Sequence, residues 1–232
     1  MPSYAHEFID CLYEKYGFHA SSVIADIGLG TGKFAKLLLE RGSFVFGVEP
    51  NADMRQIAEQ QLRQYATIKI LNGTDSATSL TDRSVDFITV AQAFHWFDPQ
   101  AFQKECIRIL RNDGKVVLVW NMRDSEHQFN KSNYEIFKKY CPNFYGFSGG
   151  IKEDSKITTF FSGPVHIEKF QNPLYFTKEK FIQRCLSASY SLKVGDANYD
   201  AYVDALARLF DQFAENDVLT LSNYTKAYIG GL

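Results

Sequence analysis

The first half of the chain alternates short apolar segments with amphipathic segments, and this alternation restricts the fold more than any other feature. Helical spacing of apolar residues predicts helices at 4–16, 33–41, 52–64 and 99–110. Continuous apolar runs predict strands at 22–26, 44–48, 67–71, 86–90 and 115–120, the last after a turn at 111–114. Such alternation is typical of a parallel sheet covered by helices on both faces. The sequence therefore predicts an α/β fold whose ligands bind beyond the carboxyl ends of the strands.

The second half of the chain is rich in aromatic residues and has no repeat or linker. Helices are predicted at 127–140, 151–161, 177–188 and 197–214, with strands at 165–171 and from 217 toward 229. We interpret residues 1–232 as one domain with a helical elaboration at about 127–161. That elaboration is the expected substrate lid, although most of its aromatic side chains are expected to be core.

Composition removes several classes of function. The formal net charge is -2, whereas nucleic-acid-binding domains usually carry a basic excess. No apolar run approaches the roughly 18 residues of a membrane helix, and the first residues do not resemble a secretory signal. Scattered cysteines and isolated histidines favour free thiols in a reducing compartment and no metal site. We expect a cytoplasmic protein without a nucleic-acid or membrane partner; the oligomeric state is not predicted.

A glycine-rich segment follows the first predicted strand and opens the next helix. Its glycines, Gly28, Gly30 and Gly32, have the spacing GxGxG, which suits close approach of a nucleotide to the backbone. A dinucleotide fingerprint would need glycine at Lys33, and a P-loop would need a hydroxyl residue at Phe34. A tight turn that binds no ligand is the structural alternative.

Two carboxylates near this loop favour an adenosyl ligand. Glu49 ends the second strand, where a carboxylate can accept hydrogen bonds from both ribose hydroxyls. A solvated loop charge is the alternative for Glu49. Asp26 stands just before the glycines, where it would repel a diphosphate but not a ligand with an amino group and a sulfonium.

Ordered motifs then identify a family. The matching stretches are Asp26–Gly32, Gly47–Met54, Gly73–Ser76, Ser84–Phe87, Ala91–Phe97 and Leu118–Arg123, with a weaker match at Tyr224–Gly230. The chain resembles class I S-adenosylmethionine-dependent methyltransferases of the methyltransferase-11-like superfamily. Its Phe94–Phe97 segment is similar to trans-aconitate methyltransferase-like proteins.

The resemblance implies a Rossmann-like, mostly parallel seven-stranded sheet with an antiparallel last strand and S-adenosyl-L-methionine as cofactor. The residues that it implies for the cofactor are Asp26, Gly28, Leu29, Gly30, Thr31, Gly32, Glu49, Pro50, Asn51, Met54, Thr74, Asp75, Ser76, Ala91 and Gln92. The family commonly has Gly-Asp-Ala where this chain has Gly73-Thr74-Asp75. Which residue of 74–76 contacts adenine is therefore open.

The segment after the fourth strand supplies the candidate catalytic residue. His95 has a pKa suited to removing a proton from an acceptor, although a packing histidine is an equal alternative. Trp96 is expected to line the substrate pocket or to pack. Arg123 could hold a substrate carboxylate by a bidentate pair or lie on the surface as an ordinary charge.

The predicted function is methyl transfer to a small-molecule acceptor, with carboxylate and hydroxyl oxygens as the leading acceptor groups. Strand four lacks the Asn-Pro-Pro-Tyr type of motif associated with methylation of amide or adenine nitrogen. The alternatives are a non-catalytic protein that binds S-adenosylmethionine and, less favoured, an NAD-dependent oxidoreductase.

Overall fold

The structure is a computed structural model that describes residues 3–147 and 157–232. Within these ranges the chain divides into two compact units. The first unit contains residues 3–121, 157–170 and 225–232, and the second contains 122–147 and 171–224. Each unit has its own hydrophobic core. The assignment of 1–232 to one domain with a lid stays a prediction.

The elements follow the predicted alternation. The helices are α1 (His6–Lys15), α2 (Lys33–Leu39), α3 (Ala52–Leu62), α4 (Pro99–Ile109), α5 (Gln128–Tyr140), α6 (Lys178–Leu186) and α7 (Tyr199–Phe213). The strands are β1 (Val23–Ile27), β2 (Phe44–Val48), β3 (Ile68–Leu71), β4 (Val85–Ala91), β5 (Leu110–Arg123), β6 (Val165–Gln171), β7 (Leu174–Phe176), β8 (Leu219–Leu221) and β9 (Asn223–Gly230). A short 3₁₀ helix spans Phe94–Trp96.

A seven-stranded sheet with the order β3-β2-β1-β4-β5-β9-β6 forms the centre of the first unit. Strands β1 to β5 pair in parallel. Strand β9, the last in the chain, is antiparallel to the other six strands of the sheet. The strand order reverses between β1 and β4, so a crevice is expected beyond the carboxyl ends of these two strands. The predicted fold class is confirmed.

A local sequence signal explains where α4 begins, and buried apolar side chains stabilise α1. Asp98 caps α4, its carboxylate accepting from the backbone of Gln100 at 2.9 Å and Ala101 at 3.1 Å, and Pro99 occupies the first turn. Helix α1 buries Phe8 and Leu12 completely. Burial of each such side chain contributes about 1.5–3 kcal/mol relative to exposure.

The predicted turn at Arg111–Gly114 lies inside β5, where it forms an irregular segment of the strand. Val85 pairs with Leu110 and Phe87 with Lys115, so residues 111–114 bulge opposite Asp86. The Arg111 guanidinium donates to the Asp86 carboxylate at 2.6 Å. Since the ladder resumes on both sides, the Asn-Asp-Gly signal marks a bulge within a strand.

The predicted final strand from 217 toward 229 is two strands, β8 and β9. The chain breaks at Ser222, whose carbonyl accepts from the backbone of Asp124 at 3.1 Å and from the Asn130 amide at 2.9 Å. Strand β8 pairs antiparallel with β7, a strand that was not predicted. Because the Ser222 carbonyl bonds to Asp124 and Asn130, the strand is interrupted there and β8 and β9 are separate.

Aromatic side chains form much of the core of the second unit. Phe129, Phe137, Phe181, Tyr202 and Phe210 are all buried there. Of the aromatic residues in the elaboration, Phe129, Phe137 and Phe144 are core as expected, whereas Tyr145 is exposed. The predicted helix at 151–161 lies outside the described residues as far as 156, so the structure describes only its last part.

Candidate functional site

The glycine loop adopts backbone conformations that favour glycine. Gly28, Gly30 and Gly32 have φ angles of 74°, 57° and 81°, in the left-handed region that disfavours residues with a Cβ. A Cβ on Gly28 would stand 2.6 Å from the Ala93 Cβ, whereas a Cβ on Gly30 would meet nothing within 4 Å. The loop is thus packed against the protein at Gly28 and open at Gly30.

Backbone hydrogen bonds attach the loop to the end of β2. The amides of Gly28 and Leu29 both donate to the Val48 carbonyl, at 2.9 and 3.1 Å. The Leu29 side chain is buried against Gly47, so Leu29 can offer a ligand only its backbone. Thr31 is half-buried at the turn into α2.

Glu49 lies at the carboxyl end of β2 beside this loop. Its Oε2 accepts from the Gly30 amide at 2.9 Å, and its Oε1 accepts from the Asn51 amide at 3.0 Å. The residue is only 9% exposed. Since each carboxylate oxygen can accept more than one hydrogen bond, Glu49 is fixed in place and still has acceptor capacity.

Asp26 is buried near the end of β1, and its hydrogen bonds connect neighbouring elements beneath the glycine loop to one another. Its carboxylate accepts from the Thr89 hydroxyl at 2.8 Å and from the Ala35 amide in the first turn of α2. Burial raises the pKa of Asp26 to about 7; the nearby Glu49 carboxylate also raises it, while the two hydrogen bonds lower it. Tyr4 lies near Asp26 and hydrogen-bonds Gln92.

Asp26→Asn is expected to remove a pH-dependent loss of stability. The Asp26 pKa changes from an ordinary 3.8 to about 7 in the folded chain, so the folded chain holds a proton that the unfolded chain releases. Asp26 therefore destabilises the fold as the pH rises through this window, by up to about 1.4 kcal/mol per pH unit. Urea unfolding between about pH 5 and pH 7 measures the slope. If stability changed with pH equally in wild type and Asp26→Asn, the raised pKa of Asp26 would be contradicted.

The segment after Glu49 is organised by a cap and an arginine. The Asn51 side-chain oxygen accepts from the Met54 amide at 3.0 Å and so caps α3. The Arg55 guanidinium donates to the carbonyls of Glu49 and Pro50, at 2.8 Å each, and to the Asn72 amide oxygen. Arg55 was not predicted as a site residue. It joins the loop after β2 to the loop after β3.

The loop after β3 is a tight turn that begins at Gly73. The Thr74 amide donates to the Ala77 carbonyl at 3.0 Å, and the Thr74 and Ser76 hydroxyls lie 3.4 Å apart. A Cβ on Gly73 would stand 2.9 Å from the Ala77 carbonyl oxygen. Asp75 is half-buried, and Thr74 and Ser76 are exposed, so all three side chains remain candidates for a ligand contact.

A buried carboxylate anchors the far end of this turn. Glu105 on α4 accepts from the Thr78 amide at 2.9 Å and from its hydroxyl at 2.5 Å. Burial would raise the pKa of Glu105, but hydrogen bonds from Arg108 and Thr78 outweigh it and bring the pKa to about 2. Glu105 shares a helical face with Phe102, Cys106 and Ile109. A carboxylate on an apolar face was the signal that could have revealed it.

The segment after β4 faces the glycine loop through Ala93. Gln92 has a φ of 59°, a strained conformation for a residue other than glycine, and its amide donates to the Val119 carbonyl at 2.9 Å. Such strain is often found at functional sites. Ala91 and Gln92 are half-buried, as suits residues that line a cleft.

His95 and Trp96 occupy the 3₁₀ helix beyond this point. Both are exposed, Trp96 to 81%, and their rings lie 4.9 Å apart. Partial burial lowers the pKa of His95 below its ordinary 6.5. Phe94, between them and β4, is buried against Phe102 and Trp120. Buried Phe94 therefore holds the backbone of this segment in place, while the His95 imidazole lies at the surface.

The structure brings the predicted cofactor residues together at the carboxyl ends of four adjacent strands. All belong to the first unit, whereas Arg123 belongs to the second. An adenosyl group fits the residues present, because Glu49 has free acceptor capacity and the space over Gly30 is open. In the described part of the chain, no helix is long and apolar enough to cross a membrane. No group of three potential metal ligands occurs among the described residues either.

Comparison with known proteins finds similarity to methyltransferases. Residues 25–118 match the methyltransferase domain family. The chain is 42% identical over 123 residues to an uncharacterised methyltransferase of Mycobacterium tuberculosis, a match that covers 53% of this chain and 48% of that protein. The chain thus spans about half the length of the curated relatives it matches first.

Solved structures share the fold. One from Anaeromyxobacter dehalogenans, described provisionally as a type II methyltransferase, has a TM-score of 0.75 at 17% identity and covers 100% of this chain and 97% of that chain. A geranyl diphosphate methyltransferase in complex with S-adenosylmethionine has a TM-score of 0.53 at 15% identity, covering 96% and 84% of the two chains. At these identities the similarity shows the fold alone.

Proposed function

We propose that this chain carries a class I methyltransferase domain and transfers the methyl group of S-adenosyl-L-methionine to a small-molecule acceptor. One observation supports the proposal above the others: a buried Glu49 carboxylate held between the Gly30 and Asn51 amides, beside open space at Gly30. An enzyme that binds this cofactor needs a ribose acceptor next to a backbone that allows close approach.

Most of the predicted cofactor residues have a definite task in this proposal. Glu49 accepts the ribose hydroxyls, and the backbone of Gly28–Gly32 contacts the ribose and methionine portions. Asn51 and Met54 flank the adenine, whose edge is contacted from the turn at Thr74–Ser76. Asp26, whose carboxylate is already bonded to Thr89 and Ala35, acts chiefly by holding the loop.

The chemistry follows from positioning and proton transfer. When bound, S-adenosyl-L-methionine supplies a methyl group on a positively charged sulfur, which an acceptor atom displaces in line. Holding two reactants in alignment gains effective molarities of up to about 10⁵–10⁸ M. The lowered pKa of His95 keeps its imidazole neutral near pH 7 and able to accept a proton from a hydroxyl acceptor. A carboxylate acceptor is already ionised and needs no base.

Glu49→Gln is the experiment that tests the cofactor site. Hydrogen bonds to a charged group contribute about 1.5–3 kcal/mol each, so loss of the carboxylate should weaken cofactor affinity about ten- to a hundredfold. Isothermal titration with S-adenosylmethionine measures the change. Glu40→Gln is the matched control, because Glu40 is a partly exposed glutamate on the same unit. Equal affinity in wild type and Glu49→Gln would remove Glu49 from the site.

Two further measurements separate the proposal from its alternatives. Equilibrium dialysis with NAD and with S-adenosylmethionine distinguishes a methyltransferase from an oxidoreductase. Formation of S-adenosylhomocysteine across a panel of carboxylates and hydroxyl compounds distinguishes an enzyme from a protein that binds the cofactor without turnover. Binding of NAD alone would overturn the proposed function.

A further inference from the structure

The second unit contains a small cavity with two arginines in its wall. Its volume is 210 Å³, and its lining includes Arg123, Arg184, Asn133, Phe137 and Tyr190. None of the described residues that line it is an aspartate or a glutamate. The described lining therefore combines two cationic side chains with aromatic rings and has no acidic side chain.

Arg123 is held in the cavity wall by stacking and not by an ion pair. Its guanidinium lies 4.0 Å from the centre of the Phe147 ring, and Arg184 stacks similarly on Phe176 at 5.3 Å. Among the described residues, no carboxylate forms an ion pair with either arginine. Stacking uses the face of a guanidinium and leaves its N–H groups, which point outward in the plane, available to a ligand.

Two buried polar atoms in this wall lack partners. Within the described residues, Arg123 Nε and Asn133 Oδ1 make no hydrogen bond. An unsatisfied buried group costs about 1–3 kcal/mol, and more when it is charged. Burial lowers the pKa of Arg123, and the like charge of Arg184 lowers it further. The free chain therefore carries an electrostatic cost that a bound anion would relieve.

We propose that this cavity binds a small organic carboxylate, whose oxygens accept hydrogen bonds from Arg123 and Arg184. A planar carboxylate matches the paired N–H groups of a guanidinium, and Phe137, Phe181 and Leu221 offer apolar surface for a carbon chain. The volume of 210 Å³ far exceeds the roughly 10–15 Å³ that a single water molecule needs. That size suits an acid of a few carbons.

The site goes beyond methyl transfer, because carboxylate binding requires no cofactor. It extends the role expected for Arg123 and adds Arg184, which lies in no motif of the resemblance. Failure to bind S-adenosylmethionine would leave this proposal intact. Absence of carboxylate binding would equally leave the proposed methyl transfer intact.

Calorimetric titration with succinate, without cofactor and at low salt, tests the site. We expect saturable binding of one succinate per chain, no binding of the neutral isostere succinamide, and weaker binding of inorganic phosphate. Arg123→Gln and Arg184→Gln should each weaken succinate binding at least about tenfold, since each removes a charge-assisted pair. Arg208→Gln, on an exposed arginine of the same unit, should change nothing.

Several outcomes would overturn the proposal. They are the absence of saturable binding to wild type, phosphate binding at least as tight as succinate binding, and unchanged affinity in the arginine variants. Melting curves of each variant verify folding. If Arg123→Gln does not fold, Arg184→Gln alone decides the result, because the Arg184 side chain is only half-buried.

Discussion

Replacing Glu105 by alanine is expected to lower the free energy of unfolding of the first unit by about 3 kcal/mol. The buried carboxylate accepts two hydrogen bonds from Thr78 and a bidentate pair from Arg108, with Nε at 2.8 Å and Nη2 at 2.7 Å. Alanine would leave the buried Thr78 amide and hydroxyl without their acceptor. The Arg108 guanidinium would keep its contacts with Asp82 and the Leu80 carbonyl.

The same substitution should change the response to acid. The Glu105 pKa falls from an ordinary 4.5 to about 2 in the folded chain, so the folded state holds fewer protons than the unfolded state in this interval. The contribution of Glu105 is therefore complete above pH 4.5 and is lost as the pH falls toward 2. The stability difference between wild type and Glu105→Ala should narrow accordingly.

Tryptophan fluorescence provides a probe that is specific to the first unit. The chain has two tryptophans, and both, Trp96 and Trp120, belong to that unit. Urea unfolding at neutral pH and near pH 3 measures the difference. Glu40→Ala is the control, since its exposed pair with Lys36 should contribute less than about 1 kcal/mol. Equal losses in both variants, or a difference independent of pH, would contradict the prediction.

Loss of Glu105 should also reach the candidate site. Thr78 follows directly on the turn at Thr74–Ala77, and Glu105 is the side chain that holds Thr78 against α4. A turn without this anchor is less ordered before a ligand arrives, and ordering it on binding costs free energy. Cofactor affinity should therefore fall even though Glu105 itself lies outside the predicted set.

Local patterns predicted most elements of the sheet and missed those set by distant partners. Strands β1, β2 and β4 are mostly apolar, so periodicity and turn residues located them closely. Strands β7 and β8 have three residues each, too few for a periodic pattern. The break at Ser222 depends on Asp124 and Asn130, about a hundred residues away in sequence, and has no local signature.

The candidate site shows the same contrast between residues with a local sequence signal and residues positioned by distant contacts. The spacing of glycines and the carboxylate of Glu49 are visible in sequence, because a strand–loop–helix motif fixes their neighbourhood. Arg55, Glu105 and Arg184 were missed, since a single charged residue on a helix is usually a solvated one. Their contacts with Asn72, Thr78 and the second-unit cavity become visible only in three dimensions.

Alanine at Gly28 is expected to destabilise the first unit by about 3 kcal/mol and to abolish cofactor binding. The left-handed conformation costs a residue with a Cβ about 1–2 kcal/mol. Contact with the Ala93 Cβ at 2.6 Å adds about 1–3 kcal/mol, because neither the loop nor the segment after β4 can move without breaking its own packing. Urea unfolding followed by tryptophan fluorescence measures the loss.

Gly17 and Gly30 separate conformational cost from steric conflict. Both have positive φ, 87° and 57°, and a Cβ on either meets nothing within 4 Å. Gly17→Ala and Gly30→Ala should therefore lose only about 1–2 kcal/mol each. A loss in Gly28→Ala no greater than that in Gly17→Ala would show that the contact with Ala93 is relieved at no cost.

The order of the three variants in cofactor affinity should differ from their order in stability. Gly17 lies after α1, away from the glycine loop in sequence, so Gly17→Ala should bind S-adenosylmethionine like wild type. Gly30→Ala should remain folded but bind at least about tenfold more weakly, because its methyl group would occupy the space that close approach of a ligand to the backbone requires. A folded Gly30→Ala variant with wild-type affinity would mean that the open space over Gly30 is not where the cofactor lies.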